Sequence, residues 1–422
     1  MLRLLYSLLF SLVAPFFLYG LYKRKPGKPS IGERWKEHFG YTSTITRRTN
    51  ETGKLIWIHA VSVGEVLAVS PFIRQLKQKH PSIAIVLTTT TSTGAEQAEK
   101  LGELIHHRYM PLDFGFALRR FIRIISPSQL LIMETELWPN TLHFAAKANI
   151  SVTILNARLS QRSCNRYKKV QRVFNLLAKN LTHVLCQTEE DKLRFSELGL
   201  PHSKLSVTGS IKFDVQVSEQ DISKSQELKQ AIGSRLVWVA ASTHEGEDDV
   251  VLNTHRELLR HYNDALLIIV PRHPERFDNV YQLSVASELS TQRRTISQSI
   301  NTTTQVYLAD TMGEMMTILG AADVCFMGGS LLGNKVGGHN LLEPAALGVP
   351  TLIGPSFFNF KDITRQLVEN QATKIVEATT LTNSLNDLFD SPKDIAKMAQ
   401  ASLRVVAQNR GSINASLKEL GF

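Results

Sequence analysis

The chain has 422 residues, 43% of them hydrophobic and 20% charged; this excludes a disordered chain and exceeds one ordinary domain. Its 48 basic and 38 acidic residues leave a formal charge of +10, which suits an anionic partner: nucleic acid, an acidic membrane surface or a phosphorylated substrate. Cys164, Cys186 and Cys325 are scattered, without a CxxC pair or a nearby histidine, so a disulfide framework and a zinc site are both excluded.

Residues 1–25 read as a membrane anchor. From Leu4 to Tyr22 the chain is almost wholly apolar, near the minimum length for a spanning helix. Lys23, Arg24, Lys25 and Lys28 close it off, and Phe16, Phe17, Tyr19 and Tyr22 suit an interfacial end. No small-x-small site precedes the basic cluster, which argues against a cleaved signal peptide. Positive charge is greater after the segment than before it, so the positive-inside rule leaves the remainder in the cytoplasm. Pro15 is equally compatible with a helix that lies in the interface instead of crossing it.

From Lys54 onward, strand-like and helix-like runs alternate. Strands are predicted at 55–60, 83–89, 128–133, 152–156 and 184–187, with helices at 64–79, 93–101, 140–148 and 165–177. This regularity predicts a parallel, doubly wound α/β domain over 26–213. Residues 214–234 are polar without a strong apolar pattern and read as a linker. A second α/β domain is expected over 235–394. Its strands fall at 236–240, 265–270, 305–308, 324–327 and 351–353, and its helices at 247–261, 312–321 and 341–347. The last stretch, 395–422, reads as a helix that packs back on the first domain. Two such halves imply a cleft between them, with functional loops at the strands' carboxyl ends.

The chemistry-bearing residues cluster where strands give way to helices. His59-Ala-Val-Ser-Val-Gly-Glu65 puts a carboxylate at a helix start, where it either serves the helix dipole or acts as a general base. Met133-Glu134-Thr135-Glu136-Leu137-Trp138-Pro139 repeats that layout, and the sequence does not choose between its two glutamates. Lys212, in Thr-Gly-Ser-Ile-Lys-Phe-Asp, is either a surface lysine or a cation for a departing phosphate. Arg272, in Pro271-Arg-His-Pro-Glu-Arg276, ends an apolar strand and is placed to grip a phosphate with its planar fork. Ser242-Thr-His-Glu-Gly-Glu247 likewise ends a strand and opens a helix.

Between Asp323 and Pro355 two apolar runs enclose Gly328-Gly329-Ser330 and Gly337-Gly338. Such glycines let a backbone approach a phosphate closely, and a helix start near Asn340 offers free N–H groups. Asn340 and Glu343, three apart on a helix face, would hold a ribose's hydroxyls. The alternative is a crossover whose glycines serve only tight packing. The sequence contains no HExxH, DxD pair or Cys/His cluster, so no metal site is expected. Its basic residues lack the interleaved aromatics on which nucleic-acid bases stack, so nucleic acid is not an expected partner.

Taken together, HAVSVGE, ETELWPN, TGSIKFD, STHEGE, PRHPERF, DTMGE and GGSL…GGHNLLEPA resemble the 3-deoxy-D-manno-octulosonic acid (Kdo) transferases of lipopolysaccharide inner-core synthesis. The motifs run in family order from the anchor nearly to the C-terminus. The resemblance implies a GT-B fold, with Rossmann-like domains around a cleft, on the cytoplasmic face of a bacterial inner membrane. It implies inverting transfer of Kdo from CMP-Kdo to a phosphorylated lipid A precursor, with no cofactor or metal. By the same resemblance Glu65 is the base, and Glu134 and Lys212 stabilise the transition state. CMP contacts fall to Pro271, Arg272, Met312, Gly313, Glu314, Asn340, Leu341, Leu342 and Glu343. Residues 312–314 owe their place to the resemblance alone. One departure is the loop 331–336, longer than expected before GGHN. A nucleotide-sugar epimerase on the same fold and a non-catalytic membrane-anchored binding protein are the rival readings.

Overall fold

A computed structural model of the chain describes residues 2–23, 29–51, 53–297 and 299–422. Arg24, Lys25 and Lys28 of the predicted basic cluster lie outside the described residues. The chain divides into two units, one of residues 1–214 with 410–422 and the other of residues 215–409.

The first unit is built on strands β1 (Leu55–His59), β2 (Ala84–Thr89), β3 (His106–Tyr109), β4 (Gln129–Met133), β5 (Ser151–Ala157), β6 (His183–Cys186) and β7 (Leu205–Val207). They form a parallel sheet in the order β3-β2-β1-β4-β5-β6-β7. Every residue of β1 and β2 is buried, as a parallel sheet covered on both faces requires. Trp57, Phe121 and Phe174 pack on one face and Ile58, Phe72 and Leu76 on the other. The polar edge strand β3, whose sequence is HHRY, is absent from the predicted set because it lacks an apolar run. The single helix expected at 165–177 is instead a pair, Gln161–Lys169 and Gln171–Ala178. Val170, at φ −121° and ψ 41°, breaks it.

The second unit carries β8 (Val237–Thr243), β9 (Leu266–Pro271), β10 (Thr291–Arg293), β11 (Val306–Leu308), β12 (Val324–Met327), β13 (Thr351–Ile353) and β14 (Thr373–Ile375). Its parallel order is β10-β11-β9-β8-β12-β13-β14. Both sheets reverse their winding beside their first strand, which puts a topological switch point in each unit.

Two expected boundaries move. Most of the stretch read as a linker, 214–234, is a helix, Glu219–Ile232. Ser218 caps its start by accepting the Asp221 N–H, and Ser225, Leu228 and Ile232 are buried along one narrow stripe. Three small or isolated apolar positions among charged neighbours hide such a helix from a hydrophobic pattern. The C-terminal stretch also does not return as one piece. The helix Pro392–Asn409 stays with the second unit, and only 410–422 rejoins the first. There the Asp214 carboxylate accepts the N–H groups of Gly411 and Ile413, both at 2.6 Å. Ile413 and Leu417 complete a core that includes Phe72 and Leu76.

The N-terminal helix Leu2–Tyr22 is long and apolar enough to cross a membrane by length and composition. It nonetheless touches its own unit along one side. Arg3 donates to Asn140 Oδ1 at 3.0 Å, and Asn140 donates to Ser7 Oγ at 2.9 Å. Phe10 meets Phe114 and Trp138, with ring centroids 5.1 and 6.1 Å away. Leu4, Leu8, Leu12 and Phe16 remain exposed.

Candidate active site

In the first unit the switch point lies between β1 and β4. Glu65 follows β1, in the first turn of the helix Val63–Lys79, and Glu134 follows β4 directly. Sheet order therefore brings together two carboxylates that are far apart in sequence. Glu65 turns back on its own helix start, accepting the Val61 N–H at 2.8 Å and the Ser62 hydroxyl at 3.4 Å. This is a variant of the capping box, in which a third-position glutamate satisfies an orphan N–H. Burial nevertheless raises its carboxyl to about 7; the Val61 bond opposes this, and Glu134 and Glu136 add to it. A carboxyl group in that range takes and gives a proton readily at neutral pH.

Glu134 sits at φ 55°, a left-handed conformation that costs a side-chain-bearing residue about 1–3 kcal/mol and tends to persist at functional sites. It pairs with Lys212, whose Nζ lies 3.0 Å from Glu134 Oε1. Burial raises the Glu136 carboxyl; a hydrogen bond from Trp138 lowers it, and the Glu134 charge raises it further. The two glutamates that sequence left undivided thus differ: Glu134 is ion-paired, whereas Glu136 is held by an indole.

Lys212 stands on the short turn Ile211–Phe213, and Asn156 holds that turn. Its Oδ1 accepts the Ile211 N–H at 3.1 Å. Asn156 itself has φ 59°, where the pairing of β5 with β6 shifts register between Ile154 and Ala157. Sequence reading ended a strand at this residue without giving it a task. The signal available was an asparagine, tolerant of left-handed backbone, closing an apolar run.

In the second unit the switch point lies between β8 and β12. Pro271 ends β9, and the Arg272 N–H donates to Thr243 O at 3.0 Å, leaving its side chain exposed. Met312 is exposed, and Gly313 has φ 83°. Glu314 makes a two-pronged pair with Arg294, at 2.8 and 2.7 Å. The Arg294 bond holds its carboxyl near 2. Arg294 carried no expectation, because an isolated arginine at a strand end has no sequence signature. Leu341 and Leu342 are buried.

Asn340 stands just before the helix Leu342–Ala346, not on it. Its Oδ1 accepts the Leu342 N–H at 3.1 Å, and its amide lies 3.5 Å from Glu343 Oε1. Burial raises the Glu343 carboxyl, while Asn340 and the charge of Arg272 lower it. The expected pairing of amide and carboxylate is present, but the helix's free N–H at that point is already taken.

The glycine loop departs most from expectation. The N–H groups of Gly329, Ser330 and Leu331 all donate to the buried carboxylate of Glu247, at 2.6, 2.9 and 2.9 Å. His244 N–H is a fourth donor, at 3.0 Å. An internal anion thus occupies these backbone donors, leaving none of the three for a phosphate. Gly328 is required by close approach, since a Cβ there would fall 2.7 Å from Ser242 O and 2.8 Å from Thr243 Cα. Beside the loop, His244 and His339 meet with Nε2 atoms 2.8 Å apart. Among the described residues no group of three or more His, Cys, Asp or Glu forms a metal-binding cluster.

Comparison with known proteins follows the same division. The family profile "Glycos_transf_N: 3-Deoxy-D-manno-octulosonic-acid transferase (kdotransferase)" matches residues 33–215. The 3-deoxy-D-manno-octulosonic acid transferase of Haemophilus influenzae is 38% identical over 415 residues, covering 97% of this chain and 96% of its own. Among solved structures, a UDP-GlcNAc 2-epimerase from Neisseria meningitidis bound to UDP-GlcNAc superposes with TM-score 0.57 at 16% identity, over 87% of this chain and 99% of that one. A glycosyltransferase from Rickettsia africae superposes with TM-score 0.54 at 14% identity, over 87% and 96%. At those identities the likeness is one of fold, and that fold is GT-B.

Proposed function

Because the chain belongs to the Kdo transferase family, glycosyltransferases of lipopolysaccharide synthesis, we propose that it moves Kdo from CMP-Kdo to a lipid A precursor of the lipid IVA type, inverting the anomeric carbon, with Glu65 as general base. The observation that carries this reading is the Glu65 carboxyl, raised to about 7 beside Glu134 and Glu136. Family membership sets aside the epimerase and the non-catalytic binding protein.

In the proposed reaction Glu65 takes the proton of the acceptor's sugar hydroxyl as its oxygen attacks the anomeric carbon. The bond from that carbon to the CMP phosphate oxygen breaks, and the phosphate leaves with the electron pair. Positive charge grows on the Kdo ring and negative charge on the phosphate. Glu134, fixed by its Lys212 pair 3.0 Å away, opposes the first, and the Lys212 cation opposes the second. Donor contacts fall to Pro271, Arg272, Met312, Gly313, Glu314, Asn340, Leu341, Leu342 and Glu343. The donor carries its own leaving group, so the reaction as written calls for no cofactor or metal.

The anchor is proposed to lie along the cytoplasmic face of the inner membrane. Its ends stand about 30 Å apart, so in a spanning helix Arg3 would emerge on the far side. The Arg3 and Ser7 bonds to Asn140, at 3.0 and 2.9 Å, favour a helix held beside its domain with Leu4, Leu8 and Leu12 turned to lipid. The test is direct: purified enzyme, CMP-Kdo and lipid IVA are incubated and the lipid is weighed by mass spectrometry. No Kdo-bearing product overturns the transferase reading; full activity of Glu65→Ala removes Glu65 as base.

A further inference from the structure

His244 and His339 have no assigned task, yet their rings hydrogen-bond directly to each other. Their rings are coplanar within 2°, with centroids 5.1 Å apart and Nε2 atoms 2.8 Å apart. That separation is a hydrogen bond, and it needs one proton between two nitrogens. In the neutral pair one ring therefore carries its proton at Nε2 and leaves Nδ1 bare; the other accepts at Nε2 and carries its proton at Nδ1.

A single buried carboxylate fixes the backbone that carries or borders both rings. Glu247 accepts the backbone N–H groups of His244 at 3.0 Å and of Gly329 at 2.6 Å. The His339 ring lies against Gly329, within 2.9 Å of where a Cβ would stand. Basic side chains surround the pair. Arg272, Arg276 and His273 face His244, opposed by Asp248, whose carboxylate Arg276 binds; Arg272, His244 and His273 face His339. His273 meets the His244 ring edge-on at 5.2 Å. Burial first, then neighbouring basic groups with Arg272 among them, lower both imidazoles, His339 to about 3. Both rings are thus biased toward the neutral form.

We propose that His244 and His339 act as one proton-sharing pair that binds the donor's phosphate beside Arg272 and takes up a proton as that anion arrives. The proposal rests on reading this unit as the CMP-sugar site. The proton comes from solvent and enters the bare Nδ1, so the bridging hydrogen bond survives and the pair gains a second Nδ1–H donor. A bound anion reverses the sign of the local field and favours the protonated ring. Glu247 is then the positioning residue that builds the pair.

The probe is the methyl ester of CMP, whose phosphodiester, like the donor's, has no second proton to exchange. Its binding to the full-length enzyme is measured by calorimetry at pH 7.5 in buffers of differing ionisation enthalpy. The expected result is uptake of a substantial fraction of one proton by the wild type, and binding that tightens as pH falls to 6. His339→Gln is expected to lose the uptake and to weaken binding on the order of 10-fold, the size of one charge-assisted hydrogen bond. Ester binding by the wild type without proton uptake overturns the pair's role and leaves the donor-site reading intact. Failure of the wild type to bind the ester overturns the donor-site reading, and the pair's role with it.

Discussion

Glu65→Gln is expected to stabilise the enzyme while silencing it. Burial raises the Glu65 carboxyl from 4.5 to about 7, so the folded state binds that proton more tightly than the unfolded state. Such a group supports the fold fully below its unfolded pKa, and the support is lost as pH rises through the folded value. For Glu65 the window runs from 4.5 to about 7. At pH 8 the ionised side chain costs the fold up to about 3 kcal/mol at 1.36 kcal/mol per tenfold. The group is only half-buried, and solvent screening brings this to about 1–2 kcal/mol. Glutamine removes the charge and keeps an oxygen for the Val61 N–H, now 2.8 Å from Glu65. The variant should therefore melt roughly 2–8 °C above wild type at pH 8, with the gap closing by pH 5. Loss of a general base should lower kcat about 10²–10⁴-fold, and wild-type kcat/KM should rise through an inflection near pH 7. Scanning calorimetry from pH 5 to 8 and a labelled-Kdo transfer assay read both effects. A variant that melts at or below wild type at pH 8, or a wild-type profile flat through pH 7, refutes the reasoning.

Lys212→Met removes the partner 3.0 Å from Glu134 and should lower kcat about 10²–10³-fold with CMP affinity unchanged; an equal loss of CMP binding contradicts the role given to Lys212. Gly328→Ala forces a Cβ to within 2.7 Å of Ser242 O and should cost about 1–3 kcal/mol, measured by thermal denaturation. Arg294→Met releases Glu314 from the bond that holds its carboxyl near 2, and CMP Kd should rise on the order of 10-fold if one charge-assisted contact is lost. An unchanged Kd by calorimetry removes Glu314 from the donor site. Alkaline carbonate washing of membranes should release an enzyme whose anchor lies in the interface; recovery in the pellet argues for a spanning helix.

The alternation of buried apolar runs with helices was legible because a parallel sheet covered on both faces shows uninterrupted strands such as LIWIH and LLIIVP. Strand order was not legible, and strand order makes the carboxylate cluster: β1 and β4 are neighbours although β2 and β3 intervene in sequence. Left-handed Glu134 was equally hidden, since nothing in an apolar run ending in Glu announces positive φ, whereas Asn156 carried only the weak hint of an asparagine at a strand end. The helix Glu219–Ile232 was missed for a different reason. Its buried stripe is Ser225, Leu228 and Ile232, one of them polar, and Ser225 is there because Gly320 leaves it room. Partner-dependent burial of that kind cannot be read from a single segment.

The glycine-rich loop carries the sharpest lesson, because the chemistry inferred from it was sound and only the anion was misplaced. Glycines at a strand end do expose backbone N–H groups that gather around negative charge. Here that charge is Glu247, which is fully buried and receives Gly329, Ser330 and Leu331 together with His244. A carboxylate so deep needs its lone pairs filled, and four N–H donors fill them. The loop's backbone donors are therefore engaged within the protein itself. In the proposed donor site, recognition of the phosphate then falls to the side chains that this anchored loop displays or adjoins. Arg272 reaches it through Thr243, whose carbonyl accepts the Arg272 N–H at 3.0 Å, and His244 and His339 reach it through Glu247 and Gly329. An internal anion that fixes the backbone while cationic or proton-taking side chains face outward makes a site selective for charge without spending its backbone donors on the ligand.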